Sequence, residues 1–309
     1  MPSPACTPHP CVLAFEQAVA RRKTNIDGQL TTKNSGKKSK LEKVVNSISW
    51  RGRSSTAQEF EVLVRDELLK IKQVMGGEHY TSKQMDDDCS DDVLVGLGTG
   101  ATCWPASLVL TKYLEKNWSN ICKDCKCYRP RVVELGCGTG IVSIATKVLG
   151  AREVLCTDGA IDVVQLAKEN VLSQNYQSPN DCNIYCSFYR WSERGTDEFN
   201  DFVSRKHVDL VVASDCVLPK LFPIEPLVQA LKSLLRHQHS KAYLSYEHRH
   251  FDSYNPREKF TSLAKQYELQ VVIISDKDHD DIYSVEDIEI WKVQKYPDGF
   301  ATNEALHDG

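Results

Sequence analysis

The chain has no long apolar run. Its longest, such as Val211-Val212-Ala213 and Val271 to Ile274, are strand-sized, well short of the ~18 residues a membrane-spanning helix needs. Such a helix is excluded. An excess of positive charge is also missing: 38 Lys+Arg stand against 42 Asp+Glu, a net charge of −4, which offers no general attraction to nucleic acid. No secretory h-region opens the sequence. Its 12 cysteines, diluted over 309 residues, therefore read as free thiols of a reducing cytosol rather than as a disulfide framework. No repeat of 20 to 50 residues is visible.

What is present is ordinary in bulk and uneven in placement. With 41 % hydrophobic and 26 % charged residues, the composition is that of a globular protein. The length allows two domains, or one α/β domain with an N-terminal extension. Residues 1–53 carry ten Lys or Arg against Glu16, Asp27 and Glu42, a local +7, which leaves about −11 for residues 54–309. Pro2, Pro4, Pro8 and Pro10 open this basic part, and Gly28 to Lys43 is polar. It has too little apolar surface to offset ordering entropy, and reads as a disordered tail that folding can spare. An acidic remainder suits a basic partner better than a nucleic acid.

Glu59 to Val64 alternates with period 2, Arg65-Asp66 interrupts, and Leu68 to Val74 resumes, a β-hairpin with one buried face. An acidic loop with five Asp among residues 86–92 follows, and then Trp104 to Leu114 at helical spacing with Pro105 in the first turn. From Arg131 strands and helices alternate. Strands read at Arg131–Leu135, Glu153–Thr157, Asn183–Ser187, Val208–Ala213 and Ala242–Tyr246; helices read at Gly140–Leu149, Ile161–Ser173, Ile224–Arg236 and Pro256–Tyr267. Two strand-like runs, Glu268–Ser275 and Ile288–Val293, close the chain. The expected fold is α/β and doubly wound, a mostly parallel sheet with an antiparallel last strand. The expected organisation is a tail over 1–53, a hairpin, acidic loop and lid helix over 54–118, the core over 119–296 and a flexible tail over 297–309.

The strongest local signal is Val132-Val133-Glu134-Leu135-Gly136-Cys137-Gly138-Thr139-Gly140. An apolar strand runs into three glycines and then a helix, the arrangement that lets a ligand approach the backbone closely. A glycine turn alone could serve a dinucleotide, a phosphate or nothing. Two details narrow it. Ile141 stands where a dinucleotide fingerprint wants its third glycine, and the carboxylate of Glu134 would repel a pyrophosphate but suits an amino group or its waters. Eighteen residues past Gly140, Asp158 ends the next strand, where an acid reaches ribose hydroxyls. S-adenosylmethionine fits better than NAD.

The one cysteine cluster, Cys122-x-x-Cys125-x-Cys127, lacks an obvious fourth ligand at metal-site spacing, and no metal is expected.

With these residues in view, the chain resembles the lysine-specific group of seven-β-strand methyltransferases, whose clients include valosin-containing protein, heat-shock chaperones and elongation factors. The resemblance covers about residues 58–296. It rests on Gly100-Ala101-Thr102-Cys103-Trp104-Pro105-Ala106, the glycine motif, Trp191, Ala213-Ser214-Asp215-Cys216, Tyr246-Glu247-His248-Arg249 and Tyr283-Ser284-x-Glu286-Asp287-Ile288. It implies a class I, Rossmann-like fold and S-adenosylmethionine as cofactor. Trp104 would close over the cofactor, Gly136, Cys137 and Gly138 would line its methionine end beside Glu134 and Gly140, Asp158 would take the ribose, Trp191 the adenine, and Ser214 a backbone contact. Asp215 would line the acceptor-lysine site as the catalytic residue, in a motif Asp-x-x-Tyr that here ends in Leu218. Tyr185, Tyr189 and Tyr246 are the candidate replacements for that tyrosine. The implied activity is protein-lysine methylation by a monomer, with a chaperone, ATPase or translation factor as substrate and without a membrane or nucleic-acid partner. The alternatives are methylation of RNA or a small molecule, which the acidic core disfavours, and a non-catalytic scaffold, which the intact glycine motif disfavours.

Overall fold

A computed structural model describes residues 50–52, 54, 57–74, 98–174, 182–218, 222–249 and 254–296. The chain divides into two compact units, Met1–Trp50 and Arg51–Gly309. Trp50, the described residue of the first, is helical. The acidic loop at 86–92 and the tail at 297–309 lie outside the described residues.

Seven strands form one sheet in the order β5-β4-β3-β6-β7-β9-β8. They are β3 (Arg131–Leu135), β4 (Glu153–Asp158), β5 (Asn183–Phe188), β6 (Leu210–Ser214), β7 (Lys241–Glu247), β8 (Leu269–Ile273) and β9 (Ile288–Lys295). Pairs among β3 to β7 are parallel, while β9 runs antiparallel to both β7 and β8 and lies between them. This is the expected doubly wound arrangement, and its order reverses between β3 and β6. Strands β3 and β6 are buried almost throughout, as strands covered on both faces are, and Arg131 and Glu134 on β3 are held there by ion-pair and hydrogen-bond partners.

Helices α1 (Pro105–Asp124), α2 (Ile141–Leu149), α3 (Ile161–Ser173), α4 (Asp197–Arg205), α5 (Ile224–Leu234) and α6 (Pro256–Gln266) flank the sheet. Proline at the first turn starts α1 and α6, and Gly150 ends α2 in the left-handed region at φ +105°. Helix α1 outruns the sequence-based lid because Trp118, Ile121 and Cys122 keep its buried stripe going. Helix α4 was not legible from periodicity. Its start carries the signal instead: the Thr196 hydroxyl accepts from Phe199 N–H, with Asp197 and Glu198 in the first turn.

The hairpin is β1 (Glu59–Val64) and β2 (Glu67–Lys72), paired antiparallel, with Phe60, Val62, Val64, Leu69 and Ile71 buried. The folded unit begins before the expected boundary at residue 54. Arg51 already belongs to it, because its guanidinium lies 3.2 Å from both Glu247 and Asp287.

Arg131 seals the amino end of the sheet. Its side chain pairs with Glu153 at 2.7 Å and donates to the carbonyls of Phe202 and Lys206. The carboxyl end is the open one.

Candidate active site

Buried strands end here in less buried residues: β3 leads to Gly136, β4 ends in Asp158, β6 in Ser214 and β7 in Glu247, all half-buried. In open α/β sheets ligands settle outside the carboxyl ends, where the strand order reverses. Every candidate cofactor residue lies on or beside this face.

The glycine turn is held in a shape only glycine adopts cheaply. Gly136 and Gly138 have φ of +67° and +53°. A Cβ at Gly136 would meet Cys216 Sγ at 2.7 Å and Trp191 Cζ2 at 3.4 Å; one at Gly138 would meet the Gly100 carbonyl oxygen at 3.3 Å. The turn thus brings together the segments after β5 and β6 and the turn ahead of α1. Three segments far apart in sequence meet at one backbone.

Asp158 fastens the turn as well as facing the cleft. Its Oδ2 accepts from Gly138 N–H and its Oδ1 from Ala160 N–H, both at 3.1 Å. Desolvation outweighs these bonds and pushes its carboxyl up to about 6. Cys137 N–H donates to the Thr157 carbonyl at 2.9 Å.

Glu134 is fully buried, at the amino end of α2. Its Oε2 accepts from Ser143 N–H at 2.8 Å and from the Ser143 hydroxyl, so the carboxylate anchors the helix start against the turn. Oε1 is buried with no hydrogen-bond partner. Burial pushes the Glu134 carboxyl up to about 8. Sequence reasoning missed Ser143.

Trp104 precedes α1, and its indole N–H donates to the Thr99 carbonyl at 2.7 Å. The neighbouring Cys103 Sγ lies 3.2 Å from Thr139 Oγ1, which ties this segment to the glycine turn. Trp191 is half-buried just past β5, its ring 5.8 Å from that of Phe222.

Asp215 follows β6 with φ +55°, an uncommon conformation for a residue with a side chain. Its carboxylate is buried and is met by Arg249 at 2.7 and 2.5 Å. In the sequence Glu247-His248-Arg249 stands only as part of the run that carries the resemblance, and no spacing rule pairs residues 34 apart. Cys216 is buried with its sulfur 3.3 Å from the Leu135 carbonyl, and burial raises its thiol well above the usual range. A thiol so held is no nucleophile.

The residues fit S-adenosylmethionine. Gly136 and Gly138 present backbone without a Cβ, the orphaned Glu134 Oε1 can receive an amino group or its water, Asp158 offers a carboxylate, and Trp191 a ring beside the turn. A separate cavity of about 350 Å³, lined by Ser192 to Gly195 and by α4 and α5, shares none of these residues.

Comparison with known proteins agrees. The model of a family described as "Lysine methyltransferase" matches residues 89–267, more than half of the chain. The chain belongs to this lysine methyltransferase family. Its sheet order and antiparallel β9 are the class I methyltransferase arrangement. Protein-lysine N-methyltransferase EFM3 of Chaetomium thermophilum is 30 % identical over 140 residues, covering 44 % of this chain and 39 % of that protein. Protein N-lysine methyltransferase METTL21A of Xenopus tropicalis is 29 % identical over 166 residues, covering 50 % and 70 %. Ribosomal protein L11 methyltransferase of Thermotoga neapolitana is 42 % identical over 82 residues, 26 % of each chain. The chain thus spans about a quarter to two fifths of the length of several curated relatives it matches.

Within this fold the three candidate tyrosines separate. Tyr185 is on the outer strand β5, 39 % exposed and edge-on to Phe202. Tyr189 is stacked on Phe199 at 3.9 Å. Tyr246, one residue before Glu247, packs on Trp291 at 4.7 Å, and burial raises its phenol, with Arg249 pulling it down and Glu289 and Asp215 pushing it up. Leu218 itself is buried. Among the described residues no group of three or more His, Cys, Asp and Glu is placed to hold a metal, and Cys122, Cys125 and Cys127 are free thiols.

Proposed function

We propose that the protein transfers methyl groups from S-adenosylmethionine to the side-chain amine of a lysine in a protein substrate. The observation that carries this reading is Asp215, a buried carboxylate in a turned conformation one residue from Cys216, whose sulfur packs where Gly136 leaves room. Membership of the lysine methyltransferase family supports it, as do the similar proteins named protein-lysine methyltransferases. A chaperone, ATPase or translation factor is the class of client we favour. The free thiols among the described cysteines support a reducing compartment, the cytoplasm.

When bound, the cofactor supplies a methyl group on a sulfonium. Gly136, Cys137, Gly138 and Gly140 would give it a close backbone, Asp158 would accept from its ribose, Trp191 would cover its base, Glu134 would face its amino end, and Trp104 and Ser214 would border it. Methyl transfer is an in-line displacement, so the protein's task is to hold donor and nucleophile close and aligned. A lysine ammonium in water loses its proton only at about pH 10.4, so the acceptor must first become neutral. Asp215, held by Arg249, keeps the acceptor end of the cleft polar and oriented. Tyr246 takes the place of the tyrosine missing at Leu218.

Incubating the protein with radiolabelled S-adenosylmethionine and a cell extract, then identifying the labelled residue, tests the reading. Label on lysine of a protein supports it; label on RNA or a metabolite overturns it.

A further inference from the structure

Five charged side chains are joined end to end at the acceptor side of the cleft. Arg249 meets both oxygens of Asp215, at 2.7 and 2.5 Å, and reaches Glu247 Oε2 at 3.4 Å. Arg51 reaches Glu247 Oε1 at 3.2 Å and Asp287 Oδ2 at 3.2 Å. Three carboxylates therefore share two guanidinium groups. Burial of carboxylates beside one another favours a proton, or an incoming ammonium, on one of them.

Geometry selects which carboxylate receives it. Asp215 has both oxygens engaged by one planar fork at short range, the strongest form of such a pair, and its side chain is only 7 % exposed. Asp287 is the most exposed of the three, at 29 %, and stands at one end of the set, as Asp215 does at the other. Glu247 stands between them at 13 % exposure, divided between two arginines at 3.2 and 3.4 Å. Its neighbours come from every side: Arg51 from the N-terminal segment, Asp215 from the turn after β6, Arg249 beyond β7, and Asp287 ahead of β9. Glu247 is the carboxylate of the set with an acid on either side, Asp215 beyond Arg249 and Asp287 beyond Arg51.

We propose that Glu247, rather than Asp215, takes the proton from the acceptor ammonium, and that Arg249 is the positioning residue that fixes the two carboxylates relative to one another. This rests on the lysine reading above. In the step, one N–H bond of the ammonium breaks, its electron pair stays on nitrogen, and the proton forms an O–H bond on Glu247. The result is a neutral amine and a neutral carboxylic acid; the proton leaves to water between turnovers. Burial and the neighbouring Asp215 push the Glu247 carboxyl up to about 7, against the pull of the two arginines. A base poised near the working pH is the effective one.

The test uses the full chain in two measurements. Carboxyl carbon NMR without substrate, with the signal assigned by its loss in Glu247→Gln, should show Glu247 titrating near 7. Labelled methyl transfer from S-adenosylmethionine to extract protein should rise through the same pH in the wild type. Glu247→Gln should lower it at least tenfold at pH 7 and erase that limb, with calorimetric cofactor affinity unchanged. Glu247→Asp should restore part of the rate, and covers the case in which the amide variant fails to fold. Arg249→Lys should lower kcat and raise the Glu247 midpoint. A Glu247 midpoint near 4.5, or a Glu247→Gln profile with the limb intact, overturns the proposal. A wild type that labels no lysine overturns the function reading, while the NMR midpoint still reports on Glu247.

Discussion

Arg249 and Asp215, 34 residues apart, meet through two hydrogen bonds of 2.7 and 2.5 Å. The contact spans the ends of β6 and β7, which lie side by side in parallel, and Asp215 N–H donates to the Ser245 carbonyl at 2.9 Å. The catalytic candidate is thus a clamped carboxylate rather than an open one. Asp215→Asn keeps the shape but leaves Arg249, which still reaches Glu247, beside a neutral amide, a weakening of a charge-assisted contact on the order of 1.5–3 kcal/mol. We expect folded protein with a lowered melting temperature, cofactor affinity within about threefold of wild type, and most of the turnover lost. Calorimetry and methyl-transfer rates, read together, check it; loss of cofactor binding would move Asp215 out of the acceptor site.

Asp158 serves the turn and the ligand at once. Asp158→Ala frees Gly138 N–H and removes the acceptor for ribose, each worth about 1–3 kcal/mol, so S-adenosylmethionine affinity should fall tenfold or more. Its carboxyl stands at about 6, so wild-type affinity should also weaken between pH 7 and 5, as the acceptor gains a proton. Isothermal calorimetry across that range measures both effects.

Glu134 sets a pH dependence of stability. Its carboxyl is raised from the ordinary value to about 8, so between those values the folded chain binds a proton that the unfolded chain has released. Its contribution to stability is complete below about 4.5 and lost as pH rises through about 8. Glu134→Gln keeps an acceptor for Ser143 and removes the titration. The variant should show a flatter melting temperature over pH 5 to 8 and exceed the wild type at pH 8.5 by several degrees, on calorimetric scans.

The elements were legible where burial on both sheet faces or a helical stripe imposes a period, as in Arg131–Leu135 and Ile161–Ser173. Helix α4 escaped because its polar face outweighs the buried Phe199 and Phe202, leaving only the Thr196 cap as a sign. The cofactor face could be read because it is built from consecutive residues, Glu134 to Gly140, and from strand ends at known offsets. The acceptor side could not. Arg51, Asp215, Glu247, Arg249 and Asp287 come from four segments that meet only through sheet topology, and no sequence spacing encodes such a meeting.

Arg51 is the sharpest instance, since it lies inside a stretch that composition marks as a dispensable tail. A chain beginning at Ser54 loses the guanidinium that bridges Glu247 and Asp287, and two poorly solvated carboxylates are left facing each other. It should melt lower than the full chain, by an amount that shrinks as pH falls below about 7 and Glu247 takes up a proton. Arg51→Ala in the full chain should reproduce that loss, because the bridge and not the rest of the tail is responsible. Arg51→Lys should recover part of it, the ammonium replacing the charge but not the fork that reaches both acids. If the shortened chain melts with the full one at every pH, the bridge contributes nothing, and residues 1–53 are as dispensable as their composition suggests.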